Sequence, residues 1–111
     1  NEKRLAWAVQ EGARGITPGL ANLAPRLCMS IFAAAKAGDG EAALRLQDQI
    51  TALTGIHGIR PGLTAMKAAL NLLGLSPATP AAPFRVYSRE EMDKLRAVLV
   101  PLLDHIGGRL A

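Results

Sequence analysis

The chain has 111 residues, half of them apolar, with four aromatic side chains and a formal charge of +4. That length allows one domain at most, and an apolar set made mainly of Ala and Leu favours close-packed helices over a sheet-rich core. Scattered basic residues with acids between them argue against a nucleic-acid platform, and no apolar run is long enough for a membrane span.

Cys28 is the single cysteine, which excludes an internal disulfide and a thiolate metal cluster and fits a reducing cytoplasm. Asn1-Glu2-Lys3-Arg4 is not followed by the apolar core of a signal peptide. The absence of an initiator Met there points to a start inside a longer reading frame.

In chain order, Leu5, Ala8, Val9 and Ala13 recur at helical spacing with Trp7 to one side, and Gly12 stops that helix. Gly12 to Arg26 holds the most informative pattern. A Gly turn leads to the β-branched pair Ile16-Thr17, cut short by Pro18-Gly19, and Asn22 then caps a new helix with Pro25 in its first turn. A single short strand cannot satisfy its own backbone, so its neighbours are expected outside this chain.

Leu27, Ile31, Ala34 and Ala35 continue the second helix. Asp39 caps a third, whose stripe is Ala43, Leu46, Ile50 and Leu53, with Arg45, Gln47, Asp48 and Gln49 mostly outward. A fourth helix runs from about Leu63 to Leu73 and ends at Gly74. Ser76 to Pro83 reads as an extended crossing. Ser88-Arg89-Glu90-Glu91 is a capping box for a last helix, which carries Leu95, Val98, Leu99 and Leu102 and is interrupted by Pro101.

Few residues suggest chemistry by themselves. His57 and His105 lack partners at metal-ligand spacing, so no metal or cofactor is expected. Cys28 lies between Leu27 and Met29 on an apolar helix and reads as a small buried hydrophobe. No Ser has a nucleophile-elbow context. Lys36 and Lys94 look exposed, and Lys67 suits a half-buried ion pair better than a Schiff base. Gly15 to Asn22 fits an anion-binding helix start or, equally, a plain turn.

Taken in order, several blocks resemble the C-terminal third of the dihydrodipicolinate synthase/N-acetylneuraminate lyase family. Gly12-Ala13-Arg14-Gly15-Ile16-Thr17 is similar to its eighth barrel strand, and Ala21 to Leu27 to the start of its eighth helix. Ala37-Gly38-Asp39-Gly40-Glu41-Ala42, Lys67 to Leu75, and Pro83 to Leu95 resemble its later blocks.

The resemblance implies an α/β parent, a (β/α)8 barrel of class I aldolases that form a Schiff base with pyruvate. Residues 1–37 would be the last helix–strand–helix of the barrel, and 38–111 a helical C-terminal subdomain. A barrel of this kind takes about 250 residues. The Schiff-base lysine and the relay tyrosine would precede this segment, so it holds no catalytic residue. Thr17, Pro18 and Gly19 would line the mouth of the site and touch substrate. Implied partners are pyruvate or another 2-oxo acid, an aldehyde, and further copies in a cytoplasmic dimer or tetramer.

Two departures stand out. The dihydrodipicolinate synthases proper carry Asn-Pro-x-Pro-x-Lys where this chain reads Ile59 to Lys67, and Ser plus an aliphatic residue where it has Pro18-Gly19. They weigh against the lysine-pathway substrate, leave the family intact and open the alternative of a keto-sugar-acid or hydroxy-oxo-acid aldolase. The rival reading is a non-catalytic helical interaction module in which Ile16-Thr17 is loop. Pairing of the Ile16–Leu20 backbone with another strand separates the two.

Overall fold

Three helix starts in this chain are set by identifiable side chains, Pro25, Asp39 and Ser88. The computed structural model describes every residue from Asn1 to Ala111, with six α-helices and no strand. No helix is long and apolar enough to cross a membrane. The chain forms two compact units, Asn1–Thr54 and Gly55–Ala111.

In the first unit, the Asn1 side chain accepts from the Lys3 N–H at 3.1 Å and opens a 3-10 turn, Glu2–Arg4, that runs into α1 (Leu5–Gln10). α1 buries Leu5, Ala6 and Val9 and leaves Trp7 half-exposed, with the Arg4 guanidinium 4.2 Å from its ring centroid. Ala8 is only partly covered and Ala13 is exposed, so the inward face is narrower than the sequence spacing suggests.

The expected strand at Ile16-Thr17 is absent. Gly15–Pro18 has no regular secondary structure, and the backbone groups of Gly15, Ile16 and Thr17 make no hydrogen bond within the chain. A strand exists only through the ladder it shares with a neighbour, and this chain supplies none.

Asn22 is likewise not a helix cap. It closes a 3-10 turn, Gly19–Asn22, and its Nδ2 donates to the Gly19 carbonyl at 2.9 Å. α2 (Pro25–Lys36) begins at the proline, preceded by Ala24 at φ −130°, ψ 62°. The proline ring disfavours helical dihedrals in the residue before it, so the helix cannot start earlier, and its missing N–H costs nothing at that position.

Asp39 opens α3 (Gly40–Leu53) as expected, its carboxylate accepting from the Ala42 N–H at 3.1 Å. Ala43, Ile50 and Leu53 are fully buried. Gln47, expected outward, is buried with them at 7% exposure. It lies at the i+4 position from Ala43, on the same face, and every polar atom is used. Oε1 accepts from the Ala6 N–H at 2.9 Å, while Nε2 donates to the Glu2 carbonyl at 2.9 Å and the Thr51 hydroxyl at 3.2 Å. α2 packs against both α1 and α3. The turn between residues 37 and 39 separates α2 from α3, and both helices belong to this unit.

In the second unit, α4 (Leu63–Leu72) packs on α5 (Arg89–Leu99), with Ala65, Ala69, Leu95 and Leu99 buried. Gly74, at φ +73°, ends α4. A Cβ there would lie 2.8 Å from that of Ala111, whose N–H donates to the Leu72 carbonyl at 2.9 Å. The Ser88 capping box is complete: the Ser88 hydroxyl accepts from the Glu91 N–H, and the Glu91 carboxylate accepts from the Ser88 N–H. Pro101 breaks the last helix, leaving a 3-10 turn, Val100–Leu102, before the short α6 (Leu103–Ile106). Residues 76–83 run without regular structure, tied at one end by the Asn71 side-chain amide donating to the Ser76 carbonyl.

Arg60 fastens this unit. Its guanidinium donates to the carbonyls of Arg85 (3.2 Å) and Val86 (3.0 Å) and to the Glu91 carboxylate (2.9 Å), and it stacks 4.5 Å from the centroid of the Tyr87 ring. The Tyr87 hydroxyl in turn donates to the Arg60 carbonyl.

Gln47→Ala leaves buried backbone groups without partners and is expected to lower unfolding stability by about 1–3 kcal/mol, whereas Arg45→Ala on the exposed face changes it by less than about 0.5 kcal/mol. Urea denaturation followed by circular dichroism checks the pair.

The Ser88 amide and then the Arg60 guanidinium hold the Glu91 carboxyl below its ordinary value of 4.5. A depressed carboxyl contributes stability above its unfolded pKa and loses that contribution as pH falls through its folded pKa. Glu91→Gln should therefore lower the melting temperature at pH 7, and the difference from wild type should shrink towards pH 3 in a thermal melt.

Candidate functional site

Thr17, Pro18 and Gly19 lie together on the segment that enters the Gly19–Asn22 turn. Thr17 and Gly19 are exposed and Pro18 is half-buried in extended backbone. All three border a concavity of about 430 Å³ that also touches Glu2, Arg4 and Ile16. The Pro18 carbonyl accepts from the Ala21 N–H at 3.1 Å, which shapes the turn.

The decisive contact is the Glu2 carboxylate, whose Oε1 accepts from the Leu20 N–H at 2.6 Å. It also sits 3.4 Å from where a Cβ on Gly19 would be, an ordinary van der Waals contact, so the carboxylate lies directly against the loop. The Leu20 N–H, one of the backbone amides that an external anion could meet in Gly15 to Asn22, is thereby already paired with an internal carboxylate. Sequence reasoning missed Glu2 and Gln47, because their partners are remote along the chain and neither residue belongs to a motif.

On the other side of Pro18 lies an apolar groove of about 480 Å³, lined by Ile16, Pro18, Ala21, Cys28, Met29 and Phe32. Met29 is 74% exposed there. Cys28 is buried at 4% exposure, as its apolar neighbours suggest. Burial pushes its thiol pKa up, and the nearby Glu2 charge adds to the rise.

The other candidates have structural surroundings. Lys36 is exposed beside the Phe32 ring, and exposed Lys94 pairs with Glu90 at 2.9 Å. Lys67 is half-buried, but the expected ion pair is absent: no carboxylate lies within reach of its ammonium. His57 lies in the 3-10 turn Thr54–Gly58 with its Nδ1 enclosed and unpaired, and His105 lies in α6. No three His, Cys, Asp or Glu side chains converge to hold a metal.

Both the sequence and the helical arrangement of this chain have known relatives. The Dihydrodipicolinate synthetase family model matches residues 1–101. The chain belongs to that family. It is 34% identical over 96 residues to a 4-hydroxy-tetrahydrodipicolinate synthase of Ruegeria pomeroyi, covering 86% of this chain and 32% of that one. It is 31% identical over 91 residues to the synthase of that name from Archaeoglobus fulgidus, covering 82% and 32%.

Among solved structures it is similar to dihydrodipicolinate synthase of Bacteroides thetaiotaomicron, with a TM-score of 0.85, 34% identity, and coverage of 91% of this chain and 36% of that one. The chain thus spans about a third of the length of these relatives.

The buried, pKa-raised Cys28 thiol should react with a disulfide reagent such as Ellman's at pH 7.5 at least about 10-fold more slowly in the folded chain than in urea. Absorbance at the thionitrobenzoate band reads both rates.

Proposed function

We propose that this chain is the C-terminal portion of a Schiff-base-forming pyruvate lyase or aldolase. In this reading residues 1–37 close a (β/α)8 barrel and residues 38–111 form its helical C-terminal subdomain. The family match over residues 1–101 carries the reading. The unpaired backbone of Gly15 to Thr17 supports it, because in a barrel the first and seventh strands would flank this segment. The apolar groove beside it is the kind of face that such neighbours cover. Within the isolated chain the Ile16–Leu20 backbone pairs with no other strand, as the interaction-module alternative also expects; the family match is what favours the barrel.

The chemistry belongs to the parent enzyme. An amine of the parent condenses with the pyruvate carbonyl, releasing water and forming an imine. Loss of a methyl proton gives an enamine whose carbon attacks an aldehyde, and hydrolysis frees the product. The lysine that does this lies outside the chain, so the isolated 111 residues are expected to be inactive. Their part is to place Thr17, Pro18 and Gly19 along one wall of the mouth and to supply contacts in a homo-oligomer. A cytoplasmic setting suits the single thiol.

Borohydride trapping with pyruvate tests the reading. The enzyme containing this chain should gain the mass of one reduced pyruvate per polypeptide, and the isolated chain should gain none. In that enzyme Thr17→Val removes one hydroxyl contact to substrate and should raise the KM of the aldehyde about 5–10-fold. An enzyme that traps no pyruvate refutes the lyase assignment.

A further inference from the structure

We infer that Glu2 and Gln47 are positioning residues for the mouth segment, acting as a polar relay from the buried face of α3 to the loop that carries Thr17, Pro18 and Gly19. The inference rests on the proposed role of that loop, but its structural half stands without it.

The relay is continuous in hydrogen bonds. The Gln47 side-chain amide donates to the Thr51 hydroxyl and to the Glu2 carbonyl, and its oxygen accepts from the Ala6 N–H. The Glu2 backbone is thereby fixed against α3 over a separation of 45 residues. The Glu2 side chain then reaches out from this fixed base and accepts from the Leu20 N–H at 2.6 Å. Leu20 itself is fully buried, and its carbonyl accepts from the N–H groups of Leu23 and Ala24, which sets the turn leading into α2.

Gly15, Ile16 and Thr17, by contrast, have no backbone partner in this chain. The mouth segment is therefore held from its C-terminal end, by the Gly19–Asn22 turn whose Leu20 N–H is tied to Glu2. A carboxylate accepting from a backbone N–H makes a charge-assisted bond, stronger than a neutral one. A buried Gln with all its groups satisfied gives that carboxylate a rigid footing, as a precise site requires.

Amide hydrogen exchange on the 111-residue chain tests the relay directly. Glu2→Ala should speed exchange at Leu20 at least about 10-fold beyond any change at Ile31, whose exchange reports opening of the core. Glu2→Gln keeps an acceptor and should restore most of the protection. Gln47→Ala should also speed Leu20 exchange, and Arg45→Ala should not. Unchanged Leu20 exchange in Glu2→Ala, or in Gln47→Ala while Glu2→Ala responds, overturns the relay.

In the enzyme containing the chain, Glu2→Ala should raise the KM of the aldehyde about 5–10-fold and leave the rate of pyruvate trapping within about 2-fold of wild type. An unchanged KM overturns the positioning role. Failure of the wild-type enzyme to trap pyruvate defeats the lyase reading instead and leaves the exchange result to judge the relay.

Discussion

One charge-assisted hydrogen bond, from the Leu20 N–H to the Glu2 carboxylate, sets the geometry of the loop on which the proposed site depends. Gly15, Ile16 and Thr17 have no ladder and no helix to hold them. The residues after it form the turn that launches α2. Glu2 can serve as the anchor because its own backbone is held by Gln47, a polar side chain that spends all its hydrogen-bonding capacity inside the core. A carboxylate on a frayed terminus would give no such precision. The short turn from Glu2 to Arg4 thus has a consequence out of proportion to its length.

The two compact units use different means to the same end. The first joins its helices through buried apolar faces and the Gln47 bridge. The second relies on Arg60, whose planar guanidinium satisfies two carbonyls and a carboxylate while stacking on Tyr87. That geometry needs the fork of an arginine, and lysine could not reproduce it. The Ser88 box and the Arg60 clasp share the Glu91 carboxylate, so helix capping and segment docking are a single interaction seen from two sides.

Much of this was legible in the sequence where the signal is local. Asp39, the Ser88–Glu91 box, Gly74 and Pro101 act on neighbours within a turn, and each does what its chemistry dictates. The buried phase of α3 was legible too, from Ala43, Ile50 and Leu53. Gln47 escaped because an amide at a core position is indistinguishable from a solvated one until its partners, Ala6 and Glu2, are brought to it by the fold. Arg60 escaped for the same reason.

Asn22 misled because an Asn three residues before a Pro-led helix has two local uses, and the proline's demand on Ala24 decided between them. Ile16-Thr17 misled differently. Its β-branched pattern is real, but a strand is a property of two or more segments, and this chain holds only one. Thr17, Pro18 and Gly19 were singled out by resemblance alone, and the Glu2 contact that orders their loop had no trace in the pattern.

The placement of the aromatic rings has a practical consequence. The only tryptophan, Trp7, lies in the first unit beneath Arg4, and the only tyrosine, Tyr87, lies in the second against Arg60. Each unit therefore carries its own intrinsic fluorophore next to a cation that perturbs it. Excitation at the red edge reports on Asn1–Thr54 alone, and the derivative absorbance of the phenol, resolved from the overlapping indole band, reports on Gly55–Ala111. The melting of the two halves can be watched separately, with no label added.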